Sequence, residues 1–191
     1  MMNAKFWQKI FSEQAELDIA RRKIISASSD AQHFAKQVIF ALQRDNVKEA
    51  AEKLALATKL LVALDKKYGK NGKLRNEGAW KAGIEEFVEA KLFFDYCGGK
   101  KIGAVDEFYV ELDEYLGGLS DLTGELVRLM IIRATAKEFN EVKKAGKAVE
   151  EVIHALMQNN LTGYLRTKFD QAKNSLRKAE EILYEISQLN S

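Results

Sequence analysis

The stretch Tyr115-Leu-Gly-Gly-Leu-Ser-Asp-Leu-Thr-Gly-Glu-Leu-Val-Arg128 decides how this chain folds. At about 100° per residue it reads as a helix with Asp121, Glu125 and Arg128 on one stripe. Around that stripe, and on through Ile132, nearly everything is apolar: Leu116, Leu119, Leu122, Leu126, Val127, Leu129, Met130 and Ile131. A helix apolar nearly all round is a buried helix. Two carboxylates and a guanidinium inside it must be paired, hydrogen-bonded or bound to something, because lone buried charges are very costly. Gly117 and Gly124 lie beside the stripe, where a missing Cβ lets a backbone, a metal shell or a phosphate come close.

A second acidic pair stands upstream. Glu86 and Glu89 share a face of a helix expected over Gly78 to Cys97, together with Ala82, Ala90, Phe93 and Cys97. Their surroundings are apolar, whereas Glu85 has Lys81 nearby and reads as an ordinary surface acid. If the two helices pack as neighbours, four carboxylates converge, and such a cluster cannot all ionise without a cation. Hard oxygen donors without His or Cys select Mg²⁺ or Mn²⁺ over zinc. A divalent ion so held polarises a phosphoryl oxygen and acidifies water, the chemistry of metal-dependent nucleases. Arg128, one turn beyond Glu125, is placed to pair with it or to steady a phosphate. The alternative is that each acid is satisfied singly, by Arg128, a lysine or a backbone N–H.

The rest of the chain reads as helix throughout. Residues 3 to 44 form one long helix or two joined end to end, followed by Asp45-Asn46 as a break and cap, then a helix from Val47 to Leu64. Lys66 to Arg75 is the clearest loop, with Lys66, Lys67, Lys70, Lys73 and Arg75 as its cations. A loop so charged either contacts phosphate or keeps the chain soluble. Gly98 is the expected C-cap of the second acidic helix. Residues 105 to 112 read as a short amphipathic piece, with Asp113 as N-cap of the central helix. Two more helices follow, Lys137 to Gln158 and Tyr164 to Leu189. No strand pattern appears, so the expectation is one all-α domain over residues 1–191, a bundle of six or seven helices.

Composition agrees. Of the 191 residues, 47% are hydrophobic, 30% are charged and none is proline. The absence of proline favours long uninterrupted helices. Cys97 is the single cysteine, which excludes an intrachain disulfide and suits a reducing cytoplasm. No apolar run long enough to span a bilayer is present. Net charge is only +2, so a nucleic-acid partner needs local basic patches rather than a global field. His33 and His154 are isolated and read as structural. Glu111 to Glu114, Glu150-Glu151 and Glu180-Glu181 read as solvated faces, and Cys97 as a core residue.

Tyr115-Leu-x-Gly-x-x-Asp-Leu-Thr-Gly-Glu-Leu-x-Arg128 resembles the signature of the translin superfamily, in particular its catalytic branch, the one like translin-associated factor X. Ile84-Glu-Glu-Phe-Val-Glu-Ala90 resembles that branch's other acidic motif. Leu176-Arg-Lys-Ala-Glu-Glu-Ile-Leu-Tyr-Glu-Ile186 is similar to the family's last helix, and Lys23-Ile-Ile-x-x-Ser28 through Arg44 fits more loosely. The resemblance implies an all-α protomer, a hollow octamer, and single-stranded or short duplex RNA, or single-stranded DNA, held inside it. It also implies Mg²⁺-dependent endoribonuclease activity with Glu86, Glu89, Asp121 and Glu125 as metal ligands. The segment Arg75-Asn-Glu-Gly-Ala-Trp-Lys81 is similar to a basic nucleic-acid segment of the family through Arg75, Trp80 and Lys81. With Arg128, this makes Arg75 and Lys81 the expected nucleic-acid contacts. The short chain, without insertions, resembles the archaeal, homo-oligomeric type. Two alternatives remain: a non-catalytic nucleic-acid-binding shell, and an all-α nucleotide pyrophosphatase, for which Asp-x-x-x-Glu is the wrong second motif.

Overall fold

The computed structural model describes residues 3–189. Among them are seven helices: α1 (Ala4–Leu42), α2 (Val47–Tyr68), α3 (Gly72–Arg75), α4 (Gly78–Cys97), α5 (Leu112–Thr135), α6 (Phe139–Met157) and α7 (Gly163–Leu189). No strand occurs among these residues. Helices α4 and α5 pack on each other at the centre. α1 and α2 lie on the α4 side; α6 and α7 lie on the α5 side. The core runs continuously through all of them, with Ile24, Leu61, Trp80, Phe87, Phe93, Leu122, Met130 and Leu156 among its most enclosed side chains.

The long first helix is a single unbroken element, but its first buried residue is Ile24. Phe6, Trp7, Ile10 and Phe11 repeat at helical spacing yet stay exposed, because no other element of the protomer reaches that end of α1. The turn into α2 is built as expected. Asp45 takes a positive φ of 57°, and the Asn46 side chain accepts from the Glu49 N–H to cap the new helix. Gly98 ends α4, also as expected.

The start of α5 differs from expectation. Its N-cap is Glu111 rather than Asp113. The Glu114 carboxylate reaches back to accept from the Glu111 N–H at 2.8 Å. It also takes a two-pronged bond from Arg75, at 2.7 and 2.6 Å. Arg75 is 4% exposed and Glu114 3%, and the guanidinium stacks on the buried Trp80 ring at 5.2 Å. Two expectations are thereby overturned. Arg75 is a buried structural cation rather than a surface for nucleic acid, and Glu114 belongs to no solvated face. The reason is a pairing between segments distant in sequence: α3 turns Arg75 inward, and a buried charge of this kind is kept only by an equally buried partner. Residues 105 to 112 form no helix before Leu112. They run irregularly, anchored by buried Val105 and by Phe108, whose ring lies 5.1 Å from that of Phe87.

Where α4 meets α5 the helices touch backbone to backbone. A Cβ on Gly118 would stand 2.6 Å from the Glu85 carbonyl oxygen and 2.8 Å from the Val88 side chain; one on Gly117 would meet the Glu85 carboxylate. Gly124 has open space instead, so the close approach uses Gly117 and Gly118.

Two stability outcomes follow from these contacts. Arg75→Ala leaves the Glu114 charge buried alone and costs about 3 kcal/mol, measured by urea or thermal unfolding. The double change Arg75→Met with Glu114→Leu recovers most of that loss. Gly118→Ala forces α4 off α5 and costs about 2 kcal/mol, whereas Gly124→Ala is neutral or slightly stabilising.

Candidate metal centre and its surroundings

The contact at Gly117 and Gly118 sets the register of α4 against α5, and so decides which side chains meet one and two turns further on. Glu86 and Glu89 of α4 then converge with Asp121 and Glu125 of α5. All four of the expected acids share one electrostatic neighbourhood: Glu89 feels the charges of Asp121, Glu86 and Glu125 together. Glu89 is the innermost, 8% exposed. Burial first, then those three neighbouring carboxylates, push its pKa from an ordinary 4.5 up to about 9.

The outer three acids each have a polar partner. Glu86 accepts from the Gln32 amide at 3.5 Å and lies 3.8 Å from Lys36, both on α1. Glu125 accepts from the amide of Gln43, the C-cap of α1. Asp121 is bonded to Lys168 of α7. Burial raises the pKa of all three, and these partners pull the other way: Lys36 and Gln32 for Glu86, Lys168 for Asp121, Arg128 and Gln43 for Glu125. No hydrogen-bond donor among the described residues meets Glu89.

A hollow of about 360 Å³ opens onto the cluster, lined by Gln32, Lys81, Glu85, Glu86, Asp121, Tyr164 and Lys168. Larger hollows, of about 600, 820 and 700 Å³, lie against the loop after α4, against α5 and α6, and along α2, and none of the four acids lines any of them.

Glu85 is more than the ordinary surface acid the sequence suggests. It takes Lys168 at 2.8 Å and the Tyr164 hydroxyl at 2.5 Å. Burial works against the Lys168 charge, but the bonds to Asp121 and Glu85 outweigh it and the ammonium is held charged more firmly than a free lysine. Lys168, Tyr164, Gln32, Gln43 and Lys36 were invisible as site residues in the sequence. The only signal was that Tyr164 and Lys168 fall one turn apart on the last helix.

Of the expected nucleic-acid contacts, Lys81 lines the hollow, paired with Glu111 at 3.0 Å. Arg128 is exposed, its guanidinium 5.5 Å from the Phe40 ring. Arg75 is buried beneath Trp80, as described above. Cys97 is exposed at the end of α4 rather than in the core. His33 and His154 are exposed too, and His33 bonds Gln37.

The donor set suits a hard divalent cation: carboxylate and amide oxygens, with no sulfur or imidazole. The orphaned carboxyl of Glu89 amid three others is the feature such an ion would satisfy. In the arrangement described, no three His, Cys, Asp or Glu side chains stand close enough together to form a ready-made metal cage. Glu86, Asp121 and Glu125 are held instead by separate partners, Lys36 with Gln32, Lys168, and Gln43.

The family Translin matches residues 9–187 of the chain, and the protein belongs to it. Translin of Gallus gallus and Translin of Homo sapiens are each 28% identical to it over 81 residues. That is 42% of this chain, and the match spans about a third of those relatives' length, 35% and 36%. Among solved structures, apo-NeC3PO superposes with a TM-score of 0.87 at 23% identity, covering 96% of this chain and 98% of that one. An AfC3PO–duplex RNA complex gives 0.84 at 20% identity, covering 97% and 99%. Likeness at such identity speaks for the fold, which is the all-α bundle expected from the sequence. Nothing in the comparisons supports the nucleotide pyrophosphatase alternative. Among the described residues no helix is long and apolar enough to cross a membrane.

Because Glu89 holds a proton up to about pH 9 when folded but only to 4.5 when unfolded, the folded chain binds more protons across that window. Its contribution to stability is full below pH 4.5 and is lost as pH rises toward 9. In the metal-free protein at pH 8, Glu89→Gln therefore stabilises, by about 2 kcal/mol, and the gain disappears near pH 4. Chemical denaturation with EDTA at both pH values measures it; equal effects at the two would refute the assigned burial of charge.

Proposed function

We propose that the protein is a Mg²⁺- or Mn²⁺-dependent endoribonuclease. In this reading it acts on single-stranded or short and nicked duplex RNA inside a homo-oligomeric shell, an octamer by its resemblance to the catalytic branch of the family, in the reducing cytoplasm. The observation that carries the proposal is Glu89, a buried carboxyl with no donor that feels three neighbouring carboxylates, two of which, Glu86 and Asp121, line a polar hollow. Such a site is electrostatically incomplete, and a divalent cation is the charge that completes it. When bound there, the cation supplies Lewis-acid polarisation of a phosphoryl oxygen and lowers the pKa of water.

The chain's own residues would do the rest. Glu86 and Glu89 from α4 and Asp121 and Glu125 from α5 offer oxygens from opposite walls. Gln32 and Gln43 fix two of those carboxylates by amide donation, as supporting partners do in metal sites. Lys168 and Lys81 place positive charge on the rim of the hollow, where a phosphate enters. Lys36 and exposed Arg128 extend that rim toward α1. The duplex RNA held by AfC3PO, a protein of like fold, supports RNA as the substrate class.

A second reading is a shell that binds RNA or single-stranded DNA without cutting it. Its support is that three of the four acids already have separate protein partners and that the curated relatives carry the name Translin. Cleavage of an end-labelled single-stranded RNA, with Mg²⁺ or with EDTA, decides between them. The nuclease reading expects metal-dependent cleavage that falls by about two orders of magnitude or more in Glu125→Gln, with RNA binding retained. A gel shift without cleavage by either protein leaves the binding shell.

Metal uptake has its own signature. Glu89 must lose its proton to ligate, so binding of Mn²⁺ is expected to release protons and tighten with pH from 6 to 8. Titration calorimetry in buffers of different ionisation enthalpy reads this, and Glu89→Gln abolishes the proton release.

A further inference from the structure

Phe40 is a large apolar ring that is 53% exposed, on the face of α1 that adjoins the acid cluster. Two guanidiniums lie over its ring, Arg44 in the turn after α1 at 5.0 Å and Arg128 of α5 at 5.5 Å. At about 100° per residue, Gln32, Lys36 and Phe40 share one stripe of α1, and the C-cap Gln43 and the turn residue Arg44 follow just beyond its end. The stripe thus runs directly out of the site. Lys36 lies 3.8 Å from Glu86, and Gln43 bonds Glu125. Phe40 is one turn from each of them, and Arg128 lies one turn beyond Glu125 on α5, near enough for the two charges to interact.

Beside the ring lies a hollow of about 350 Å³, whose walls include His33, Lys36, Arg44 and Lys53. The one carboxylate on its walls is Glu49, which is already engaged by Asn46 at 2.7 Å and by Arg44 at 3.7 Å. An exposed ring, two guanidiniums over it and a surplus of cations make the combination that single-stranded nucleic acid uses: a π-face for a base and charge for the phosphates on either side.

We propose that Phe40, with Arg44 and Arg128, is a stacking platform for an unpaired nucleobase, so that the RNA accepted by the acid site carries at least one unstacked nucleotide next to the phosphate being cut. The proposal rests on reading the acid cluster as the ribonuclease centre and names the substrate feature that centre selects. The physical reason is geometric. In a continuous duplex both faces of every internal base are covered by neighbours, so Phe40 gains nothing unless a base is flipped out, at a cost of a few kcal/mol. A single strand, a nick or an end presents a free face at little cost. Phe40 is accordingly a positioning residue: it sets which nucleotide lies where, and touches no reacting atom.

The test uses the whole protein in EDTA, so that binding is read without turnover. A single-stranded RNA with one 2-aminopurine is compared with a closed hairpin duplex that has no nick or free base. Phe40→Ala and Phe40→Trp are compared with wild type; with the side chain largely in solvent, both are expected to melt within a few degrees of it. Wild type and Phe40→Trp quench 2-aminopurine by stacking. Phe40→Ala loses the quench and binds the single strand about 5- to 100-fold more weakly, while the hairpin affinity changes by less than about twofold. Equal weakening for both RNAs, no weakening for the single strand, failure of Phe40→Trp to restore quenching, or no binding of single-stranded RNA by wild type each overturns the platform. A parallel cleavage assay in Mg²⁺ separates the two proposals. Quenching that depends on Phe40 without cleavage by wild type removes the nuclease and keeps the platform. Equal cleavage of single strand by wild type and Phe40→Ala, with no difference in KM, removes the platform and keeps the nuclease.

Discussion

Everything in this protein that looks like a site depends on how closely α4 lies on α5. The contact is made where Gly117 and Gly118 face Glu85 and Val88; at Gly118 the Glu85 carbonyl leaves no room for a Cβ, while Gly117 faces the Glu85 carboxylate. Helices normally pack with axes about 8–10 Å apart, and the smaller residues at a contact set the shorter end of that range. Bringing two helices this close puts Glu86, Glu89, Asp121 and Glu125 into one space. The apolar residues around them, Phe87, Val88, Leu122 and Leu126, are fully buried and leave the carboxylates little water. The charge cluster is therefore a consequence of backbone packing, and the packing works against it, since the same burial that supplies core stability makes four like charges costly.

The fold meets that cost in graded fashion. The three outer acids are given partners from outside the α4–α5 pair: Lys36 and Gln32 from α1, Gln43 from its C-cap, and Lys168 from α7. The inner acid is left without a donor and holds a proton instead. This is the usual division where titratable groups in one pocket are pushed to different protonation states by their surroundings. It gives α1 and α7 a role beyond covering the core, because each carries polar side chains that reach the centre from one side.

Buried charge is handled quite differently at Arg75. There the guanidinium meets Glu114 in a two-pronged bond under Trp80, and Glu114 also ties down the first turn of α5. In that pair both fork nitrogens of Arg75 meet a carboxylate oxygen, and only the buried Arg75 Nε lacks an acceptor. In the acid cluster a whole carboxyl, that of Glu89, lacks a donor among the described residues. The contrast shows why charge and burial together do not define a functional site. What matters is whether the protein itself satisfies the group. The same criterion separates Phe40, exposed with two guanidiniums over its ring, from the aromatic residues that merely fill the core.

Periodicity and composition alone determined the helical class, the order of the long helices, and their ends at Asn46 and Gly98, because those features depend on residues a few positions apart. The same local spacing put Glu86 with Glu89 and Asp121 with Glu125. Resemblance of those motifs to the translin superfamily pointed to the family that the match over residues 9–187 bears out. What no local pattern contained was the partner of each charge. Arg75 read as a nucleic-acid contact and lies buried on Glu114; Glu114 and Glu85 read as surface acids and are each held by a cation from another helix; Lys168 showed only its one-turn spacing from Tyr164, and Gln43 carried no signal at all. Contacts between residues dozens of positions apart exist only once the helices have docked. The depth at which a charge comes to rest, and so whether it is structural, solvated or poised for a ligand, is a property of the tertiary structure.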